Sequence, residues 1–256
     1  MKVVILCGGL GTRMSELTNE IPKPLVQIGD KPIIWHIMKI YQQYGFNEFV
    51  LLLGYKGEKI KEYFMDYEWK NNSFTMDSQD GQVQILGQTE KWKITFVDTG
   101  LETMTGSRIK RAQKYIGDES FMLTYGDGLS DINLQDLLKF HRTKGTIATV
   151  TGIKKKSQFG ILAINQGMAD SFEEKTKVEG IVNGGFFVFQ PEVFNYLTDD
   201  TTCVFEEEPM KELTKARQLS VYLHEGFWTA IDTYKNVLEI NKLWEQGNRL
   251  WLPKQK

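Results

Sequence analysis

Short apolar runs alternate with segments of helical period along this chain, and this alternation limits its possible folds more than any other feature. The runs are short and rich in β-branched and aromatic residues, which indicates strands rather than buried helices. Strands separated by helices are joined by crossovers, so the pattern predicts a mostly parallel sheet. Runs such as VVILC and FVLLL are apolar throughout, as expected when helices cover both faces.

The predicted elements follow from these runs and from the helical stripes between them. The predicted strands are Val3–Cys7, Phe49–Leu53, Ile94–Val97, Phe121–Tyr125, Ile147–Gly152, Ile161–Ile164 and Phe186–Phe189. The predicted helices are Ile33–Tyr44, Lys56–Phe64, Arg108–Tyr115, Leu134–Thr143, Pro209–Ala216 and Thr233–Gln246. The second half is rich in strands and glycines, so we expect the sheet to become mixed there.

No Pro-, Gly- or Ser-rich linker divides the chain, and residues 1–256 are therefore predicted to form one domain. The polar segment at about 69–91 carries the turn signals Asn71-Asn72 and Asp80-Gly81, which favour a small β-rich insertion such as a hairpin. A helical tail is expected at about 233–256.

Composition excludes several classes of protein. The net charge is −2, from 31 basic and 33 acidic residues, which argues against a protein held to nucleic acid by a general basic surface. The two cysteines, Cys7 and Cys203, cannot make a disulfide framework, so we expect a reducing, cytoplasmic setting. No run approaches the ~20 apolar residues of a membrane span, so no membrane partner is expected.

The strongest local motif is GGLGTR at residues 8–13, directly after the first predicted strand. Ligands of parallel α/β sheets bind beyond the carboxyl ends of strands, and glycines there let backbone N–H groups approach phosphates. Arg13 adds a fork for a phosphate. The alternative is a tight turn with a surface arginine. The motif lacks the third glycine of a dinucleotide fingerprint and the Gly-Lys-Ser/Thr of a P-loop.

Three charged residues outside this motif are candidates for phosphate and metal chemistry. Lys23 lies between two prolines, which hold it in an extended segment, although a solvated lysine in a rigid loop is the alternative. Asp127 follows an apolar strand between two glycines and suits Mg²⁺, or it marks an Asp-Gly turn. Asp232 precedes a predicted helix and is either a second metal ligand or a helix cap.

Residues 171–175 and 178–185 supply carboxylates, an amide and a lysine, which are groups that bind sugar hydroxyls and a sugar phosphate. A solvated surface cluster is the alternative. His36, His141 and His224 lie in or beside patterned segments and are interpreted as structural. Cys7 ends an apolar strand and is interpreted as a small buried hydrophobe.

Taken in order, these motifs resemble the sugar-1-phosphate nucleotidyltransferases, and more closely the glucose-1-phosphate cytidylyltransferases. The resemblance spans nearly the whole chain, from Met1 to about Trp251. The motifs that carry it are GGLGTR (8–13), PKP (22–24), PIIWHIMK (32–39), LGYKG (53–57), IKEYF (60–64), VDTG (97–100), TGSR (105–108), TYGDG (124–128), FEEK (172–175), NGGFFV (183–188), GFW (226–228) and Asp232-Thr233. The chain departs from the family in Cys7, which replaces the usual Ala, and in Thr176, which follows Glu174-Lys175 where Pro is usual.

The resemblance implies a nucleotide-diphosphosugar transferase fold, which is Rossmann-like, and the reaction of CTP and glucose 1-phosphate to CDP-glucose and pyrophosphate with Mg²⁺. It places Arg13 and Lys23 in catalysis and Asp127 and Asp232 at the metal. The residues implied at the nucleotide are Leu6, Gly8, Gly9, Gly11, Thr12, Arg13, Lys23, Thr103, Arg108 and Gly126. Those implied at the sugar phosphate are Glu174, Lys175, Glu179, Asn183 and Gly185. It also implies a homo-oligomer.

The motifs alone do not determine the base of the nucleotide. Cytosine presents an amine where uracil and thymine present a carbonyl, so selecting it requires an acceptor in the pocket. We expect this acceptor in residues 98–108, with Arg108 donating to the cytosine O2. A uridylyl- or thymidylyltransferase, another phosphorylated acceptor, and a non-catalytic nucleotide-sugar-binding protein are the open alternatives.

Overall fold

A computed structural model of the chain describes residues 1–14, 18–156, 161–165, 168–173 and 178–252, and within 155–179 it describes the backbone alone. The described strands are β1 (Val3–Leu6), β2 (Gln27–Ile28), β3 (Lys31–Pro32), β4 (Glu48–Leu53), β5 (Phe74–Met76), β6 (Val83–Ile85), β7 (Lys93–Asp98), β8 (Phe121–Tyr125), β9 (Gly128–Ser130), β10 (Ala148–Lys156), β11 (Ile161–Asn165), β12 (Met168–Glu173), β13 (Val178–Asn183), β14 (Phe187–Phe189), β15 (Leu219–His224) and β16 (Trp228–Ala230).

The α-helices alternate with these strands through most of the chain. They are α1 (Ile33–Gln42), α2 (Gly57–Met65), α3 (Tyr67–Asn71), α4 (Thr105–Arg111), α5 (Gln113–Ile116), α6 (Leu134–Lys144), α7 (Glu208–Lys215) and α8 (Tyr234–Glu245). Short 3₁₀ turns at Thr12–Met14 and Lys23–Leu25 follow β1 and hold two of the predicted phosphate-binding residues.

The main sheet runs β13-β10-β14-β8-β1-β4-β7, with β15 pairing β10 at its other edge. Strands β8, β1, β4 and β7 are parallel, and the sheet becomes mixed at β14, which is antiparallel to both β8 and β10. The predicted mostly parallel α/β sheet with a mixed second half is therefore confirmed. Strands β5 and β6 pair as an antiparallel hairpin, which occupies part of the segment predicted as an insertion.

Two apolar layers cover the faces of this sheet. Val3 and Ile5 point into one layer, where α1 and α8 pack, and Val4 and Leu6 point into the other, where α4, α5 and α7 pack. Both strands that flank β1 are also buried, which explains why the run VVILC is apolar at every position. The glycine motif thus directly follows a strand that is buried on both faces.

The structure corrects the sequence analysis in a few places. The helix predicted at Arg108–Tyr115 begins three residues earlier, at Thr105, and is broken after Arg111. The helix α3 was not predicted, and neither were the strands β2, β3, β9, β12, β13, β15 and β16. No helix among the described residues is long and apolar enough to span a membrane.

Candidate active site

The carboxyl ends of the parallel strands meet at one edge of the sheet, and the predicted motifs follow these ends. Leu6, the last residue of β1, pairs with Leu52 of β4 on one side and with Tyr125 of β8 on the other. The glycine motif and the Gly126-Asp127 pair therefore leave neighbouring strands at the same level. Leu6, Gly9, Gly11, Lys23, Gly126 and Asp127 line a common cleft at this edge.

The turn at residues 8–13 depends on its glycines. Gly11 has a φ of +65°, which favours glycine, and its carbonyl accepts from the Met14 N–H at 2.9 Å in the 3₁₀ turn that follows. At Gly8 a Cβ would lie 2.3 Å from Cζ of Arg108, so only glycine lets the guanidinium pass. Gly9 is exposed beside the cleft, where its backbone is accessible to a ligand.

Lys23 lies between the two carboxylates that were predicted as metal ligands. Its Nζ donates to Asp127 Oδ2 at 2.6 Å and to Asp232 Oδ1 at 2.7 Å. The two aspartates, 105 positions apart in the chain, thus converge on a single cation position. Arg13 Nη1 lies 3.8 Å from the other oxygen of Asp232, and its side chain is 77% exposed, so the guanidinium is accessible to a ligand at the mouth of the cleft.

The convergence of the aspartates is produced by the pairing of β9 with β16. Ala230 pairs with Gly128, and the Ile231 N–H donates to the Asp127 carbonyl at 2.9 Å, which places Asp232 next to Asp127. The N-cap of α8 is Thr233, whose hydroxyl accepts from the Asn236 N–H in a capping box. The alternative that Asp232 is only a helix cap is therefore wrong.

The charges of Lys23, Asp127 and Asp232 shift one another's pKa values. Burial lowers the pKa of Lys23, but Asp127 and Asp232 raise it more strongly, so the pKa lies above its ordinary value and the ammonium is retained. Burial raises the pKa of Asp127, while the Lys23 ammonium acts against this rise. The Asp127 carboxylate consequently depends on a nearby cation, which is Lys23 here.

Arg108 holds together the loops that surround the glycine motif. Its side chain is buried, with Nη1 donating to the Leu53 carbonyl, the Thr99 hydroxyl and the Gly100 carbonyl at 2.7–3.0 Å. Nη2 donates to the carbonyls of Gly8 and Leu101 at 3.0 and 3.1 Å. Arg108 was expected to donate from these nitrogens to cytosine, but here they donate to protein oxygens. A contact of Arg108 with the base stays a prediction.

Thr103, also predicted at the nucleotide, lies in the loop after β7 and is buried. Its Oγ1 accepts from Arg111 Nη1 at 2.8 Å. Thr12 lies exposed in the 3₁₀ turn beside Arg13. The structure thus gathers most of the predicted nucleotide residues around one edge of the sheet. Thr103 and Arg108 are buried, and their side chains bond to Arg111 and to the Gly8 carbonyl, respectively.

The predicted sugar side approaches the cleft through β13 and the glycines that follow it. Asn183 Nδ2 donates to the Tyr125 hydroxyl at 3.0 Å, and Asn183 Oδ1 accepts from the Gly185 N–H at 2.9 Å. Trp228 of β16 donates from Nε1 to the Gly184 carbonyl at 2.7 Å, which fixes this loop. Glu174 and Lys175 lie outside the described residues, and Glu179 is described only as backbone in β13.

Among the described residues, no side-chain hydrogen bond or ion pair joins a histidine or Cys7 to Arg13, Lys23, Asp127 or Asp232, although Cys7 lines the cleft. His36 is fully buried, with Nε2 against the Ile28 carbonyl at 3.0 Å and Nδ1 against Trp251 Nε1 at 3.2 Å. His141 hydrogen-bonds Thr149, and His224 lies 3.0 Å from Asp131.

Cys7 is buried, and burial raises the pKa of its thiol far above the ordinary range, so the thiolate does not form.

Sequence reasoning missed two hydroxyl residues that line the cleft, Thr105 and Tyr125. Tyr125 directly precedes Gly126-Asp127, so its position at a strand end could have indicated it. Thr105 lies within residues 98–108, where the base acceptor was expected, but it was not singled out because its helix was predicted to begin at Arg108.

Comparison with known proteins gives consistent matches over almost the whole chain. Residues 2–247 match the family model described as nucleotidyl transferase. The chain is 66% identical over 251 residues to the probable glucose-1-phosphate cytidylyltransferase of Bacillus subtilis (strain 168). This match covers 98% of the chain and 99% of the relative. It is 42% identical over 254 residues to the glucose-1-phosphate cytidylyltransferase of Salmonella typhimurium, with 98% of both chains covered.

Among solved structures, the UDP-glucose pyrophosphorylase from Acinetobacter baumanii matches with a TM-score of 0.69 at 18% identity, over 94% of this chain and 91% of that one. HddC from Yersinia pseudotuberculosis matches with a TM-score of 0.67 at 22% identity, over 95% and 99%. At these identities the two structures support the fold alone.

Proposed function

Because the chain belongs to the nucleotidyl transferase family, and within it to the glucose-1-phosphate cytidylyltransferases, we propose that it transfers a cytidylyl group from CTP to glucose 1-phosphate. The products are CDP-glucose and pyrophosphate. The observation that carries this proposal within the site is the convergence of Asp127, Asp232 and Lys23 beside the glycine turn.

The reaction needs no general base and no covalent intermediate on the protein. The nucleophile is a phosphate oxygen of glucose 1-phosphate, which is already anionic near neutral pH. It attacks the α-phosphorus of CTP, the new phosphorus–oxygen bond forms, and pyrophosphate leaves in line. Catalysis therefore consists of positioning the two substrates and neutralising phosphate charge, which agrees with the placement of the histidines away from the cleft.

The chain's own donors supply this charge neutralisation. We assign Arg13, exposed at the mouth of the cleft, and Lys23, inside it, to the phosphate oxygens whose charge is redistributed during transfer. The backbone at Gly9 and Gly11 offers N–H groups that approach the triphosphate closely. On substrate binding Lys23 can exchange its two carboxylate partners for phosphate oxygens.

Enzymes of this family generally use a divalent metal, and the residues present fit Mg²⁺. Asp127 and Asp232 already converge on the Lys23 ammonium, so one cation position is shared by two carboxylates. The described residues hold no cluster of three or more metal-ligating side chains. Two carboxylates suffice for Mg²⁺, which binds protein through one or two carboxylates and completes its shell with waters and substrate phosphates. When bound, Mg²⁺ would neutralise triphosphate charge and orient the leaving group.

A non-catalytic nucleotide-sugar-binding protein is the alternative from a different class. A protein that only binds a nucleotide sugar does not require two carboxylates held on one cation position next to a phosphate-binding turn. The Lys23–Asp127 pair is half-buried and costs desolvation energy, which favours a role in chemistry over a role in stability alone.

A matrix of triphosphates and sugar phosphates tests the proposed function. The purified chain is mixed with Mg²⁺, one of CTP, UTP, dTTP or GTP, and one of several sugar 1-phosphates, and pyrophosphate release is measured. We expect the highest kcat/KM with CTP and glucose 1-phosphate. A mismatched donor or acceptor leaves an unpaired group costing about 1–3 kcal/mol, which corresponds to roughly 10- to 100-fold discrimination against UTP.

Two outcomes would contradict parts of this proposal. Comparable kcat/KM values for CTP, UTP and dTTP would exclude cytidylyl specificity and leave a general nucleotidyltransferase. Binding of CDP-glucose without pyrophosphate release from any pair of substrates would favour the non-catalytic protein.

A further inference from the structure

Glu206 connects two walls of the cleft, although neither the motifs nor the proposed chemistry includes it. Its Oε1 accepts from the Tyr125 hydroxyl at 2.6 Å, and its Oε2 accepts from the Thr105 hydroxyl at 2.6 Å. Tyr125 and Thr105 both line the cleft together with Lys23 and Asp127. One carboxylate thus binds a residue at the end of β8 and a residue at the start of α4.

The Thr105 contact extends to the nucleotide side. Thr105 is the first residue of α4, and its Oγ1 also accepts from the Phe205 N–H at 2.9 Å. The next N–H group, of Gly106, donates to the Cys203 carbonyl at 2.9 Å, so the segment before Glu206 caps the helix. The same helix carries Arg108, which donates to the Gly8 carbonyl. The position of Thr105 therefore influences the position of the glycine turn.

The Tyr125 contact extends to the predicted sugar side. The Tyr125 hydroxyl accepts from Asn183 Nδ2 while it donates to Glu206. Asn183 in turn accepts from the Gly185 N–H, and the Gly185 Cα lies against the Tyr125 ring, where a Cβ would be 3.0 Å from Cδ2. The Tyr125 hydroxyl is thus the link between Glu206 and the glycines after β13.

Glu206 also determines what the two hydroxyls offer to a ligand. Each hydroxyl has one proton, and both protons are used in hydrogen bonds to the carboxylate. Each oxygen also accepts one N–H, from Asn183 or Phe205, and keeps one lone pair. This wall of the cleft consequently accepts hydrogen bonds from hydroxyl or amine groups and does not donate to phosphates.

We propose that Glu206 is a positioning residue for the transfer reaction, which orients the Tyr125 and Thr105 hydroxyls as acceptors and fixes the nucleotide and sugar walls relative to each other. This inference rests on the proposed function, because it assigns Glu206 to the same reaction. A displacement of about 1 Å between reacting groups is enough to lower a rate about 100-fold.

The variant Glu206→Gln tests the proposal because it keeps the shape of the side chain. Its amide nitrogen must donate, so one of the two hydroxyls loses its acceptor. We expect kcat with CTP and glucose 1-phosphate to fall about 10- to 100-fold, with KM for both substrates changed less than about 3-fold. The matched control is Glu207→Gln, which removes a neighbouring charge from an exposed side chain and should keep the wild-type kcat.

A second measurement separates positioning from stability. If Glu206 acts partly through Tyr125, the double variant Glu206→Gln/Tyr125→Phe should lose much less than the product of the two single losses. Thermal unfolding of each variant gives the folded fraction. The proposal is wrong if Glu206→Gln keeps the wild-type kcat per folded protein, if only a KM rises, or if the two losses multiply.

The wild-type chain distinguishes failure of this inference from failure of the proposed function. If the wild type prefers another triphosphate, cytidylyl transfer is wrong and the Glu206 comparison is made with the preferred triphosphate. If the wild type releases pyrophosphate from no pair of substrates, both the function and the role of Glu206 in it are wrong.

Discussion

Replacing Lys23 by methionine should weaken catalysis and strengthen metal binding in the same variant. Methionine keeps an unbranched stem of similar length and removes the ammonium that lies 2.6 Å from Asp127 and 2.7 Å from Asp232. A metal that binds these two carboxylates has to displace the ammonium in the wild type. In the variant this ammonium no longer competes, while Arg13, 3.8 Å from Asp232, is present in both proteins.

The expected size of this effect follows from the geometry. A hydrogen bond to a charged group contributes about 1.5–3 kcal/mol. The Asp232 side chain is 40% exposed, so solvent screens its contact and only the bond to Asp127, which is 25% exposed, is counted in full. Loss of the competition should therefore tighten metal binding roughly 10- to 100-fold. Loss of a donor to the reacting phosphates should lower kcat/KM by about two or more orders of magnitude.

Calorimetric titration of the purified chain with Mg²⁺ or Mn²⁺, in the absence of nucleotide, measures the first effect, and pyrophosphate release measures the second. Lys39→Met is the matched control, because Lys39 is also half-buried and lies 3.1 Å from a carboxylate, Glu90, away from the cleft. This control should change neither metal binding nor kcat. Metal binding that is unchanged or weaker in Lys23→Met would refute the competition, and near-wild-type turnover would refute the catalytic assignment.

Three further predictions concern the same site and the buried core. Asp127→Asn should raise the Mg²⁺ concentration needed for half-maximal activity while preserving the turn, and an unchanged requirement would exclude Asp127 as a ligand. Arg13→Ala should lower kcat/KM about 100-fold with an unchanged melting temperature, because the side chain is 77% exposed; a fall in both would indicate a structural role. Burial lowers the pKa of His36 to about 4, so below about pH 6.5 the unfolded chain takes up a proton that the folded chain does not. The free energy of unfolding should therefore fall as the pH falls from about 6.5 to about 4, by roughly 3 kcal/mol from this group. In His36→Gln this part of the pH dependence should be absent in urea titrations, and an equal slope in both proteins would exclude His36 as its source.

Local patterns were sufficient to predict the elements and most of the residues at the sheet edge. A strand that is buried on both faces must be apolar at each position, so β1, β4 and β8 could be recognised without any contact information. A glycine or aspartate that directly follows such a strand must lie at its carboxyl end. Gly9 and Gly11 were therefore predicted at the end of one strand and Asp127 at the end of another, but only the structure shows that β1 and β8 are neighbours.

Contacts between distant segments could not be predicted in this way. The start of α4 was placed too late because its first N–H groups are satisfied by carbonyls of residues 201–203, not by a capping side chain nearby in the chain. Arg108 gave no sign that its Nη donors would be used by the carbonyls of three separate loops. Glu206 looked like one acid in a run of three, EEE at 206–208, and only the fold brings its carboxylate to Tyr125 and Thr105.

Asp127 and Asp232 show most clearly which features local sequence determines and which depend on the tertiary structure. The sequence determined that Asp127 follows a buried strand and that Asp232 precedes a helix, since both facts depend on the period of neighbouring residues. Whether the two carboxylates meet was decided by the pairing of Gly128–Ser130 with Trp228–Ala230, across about a hundred residues. Such pairing depends on the register and packing of the whole sheet, and periodicity within one segment carries no information about which other segment will lie beside it.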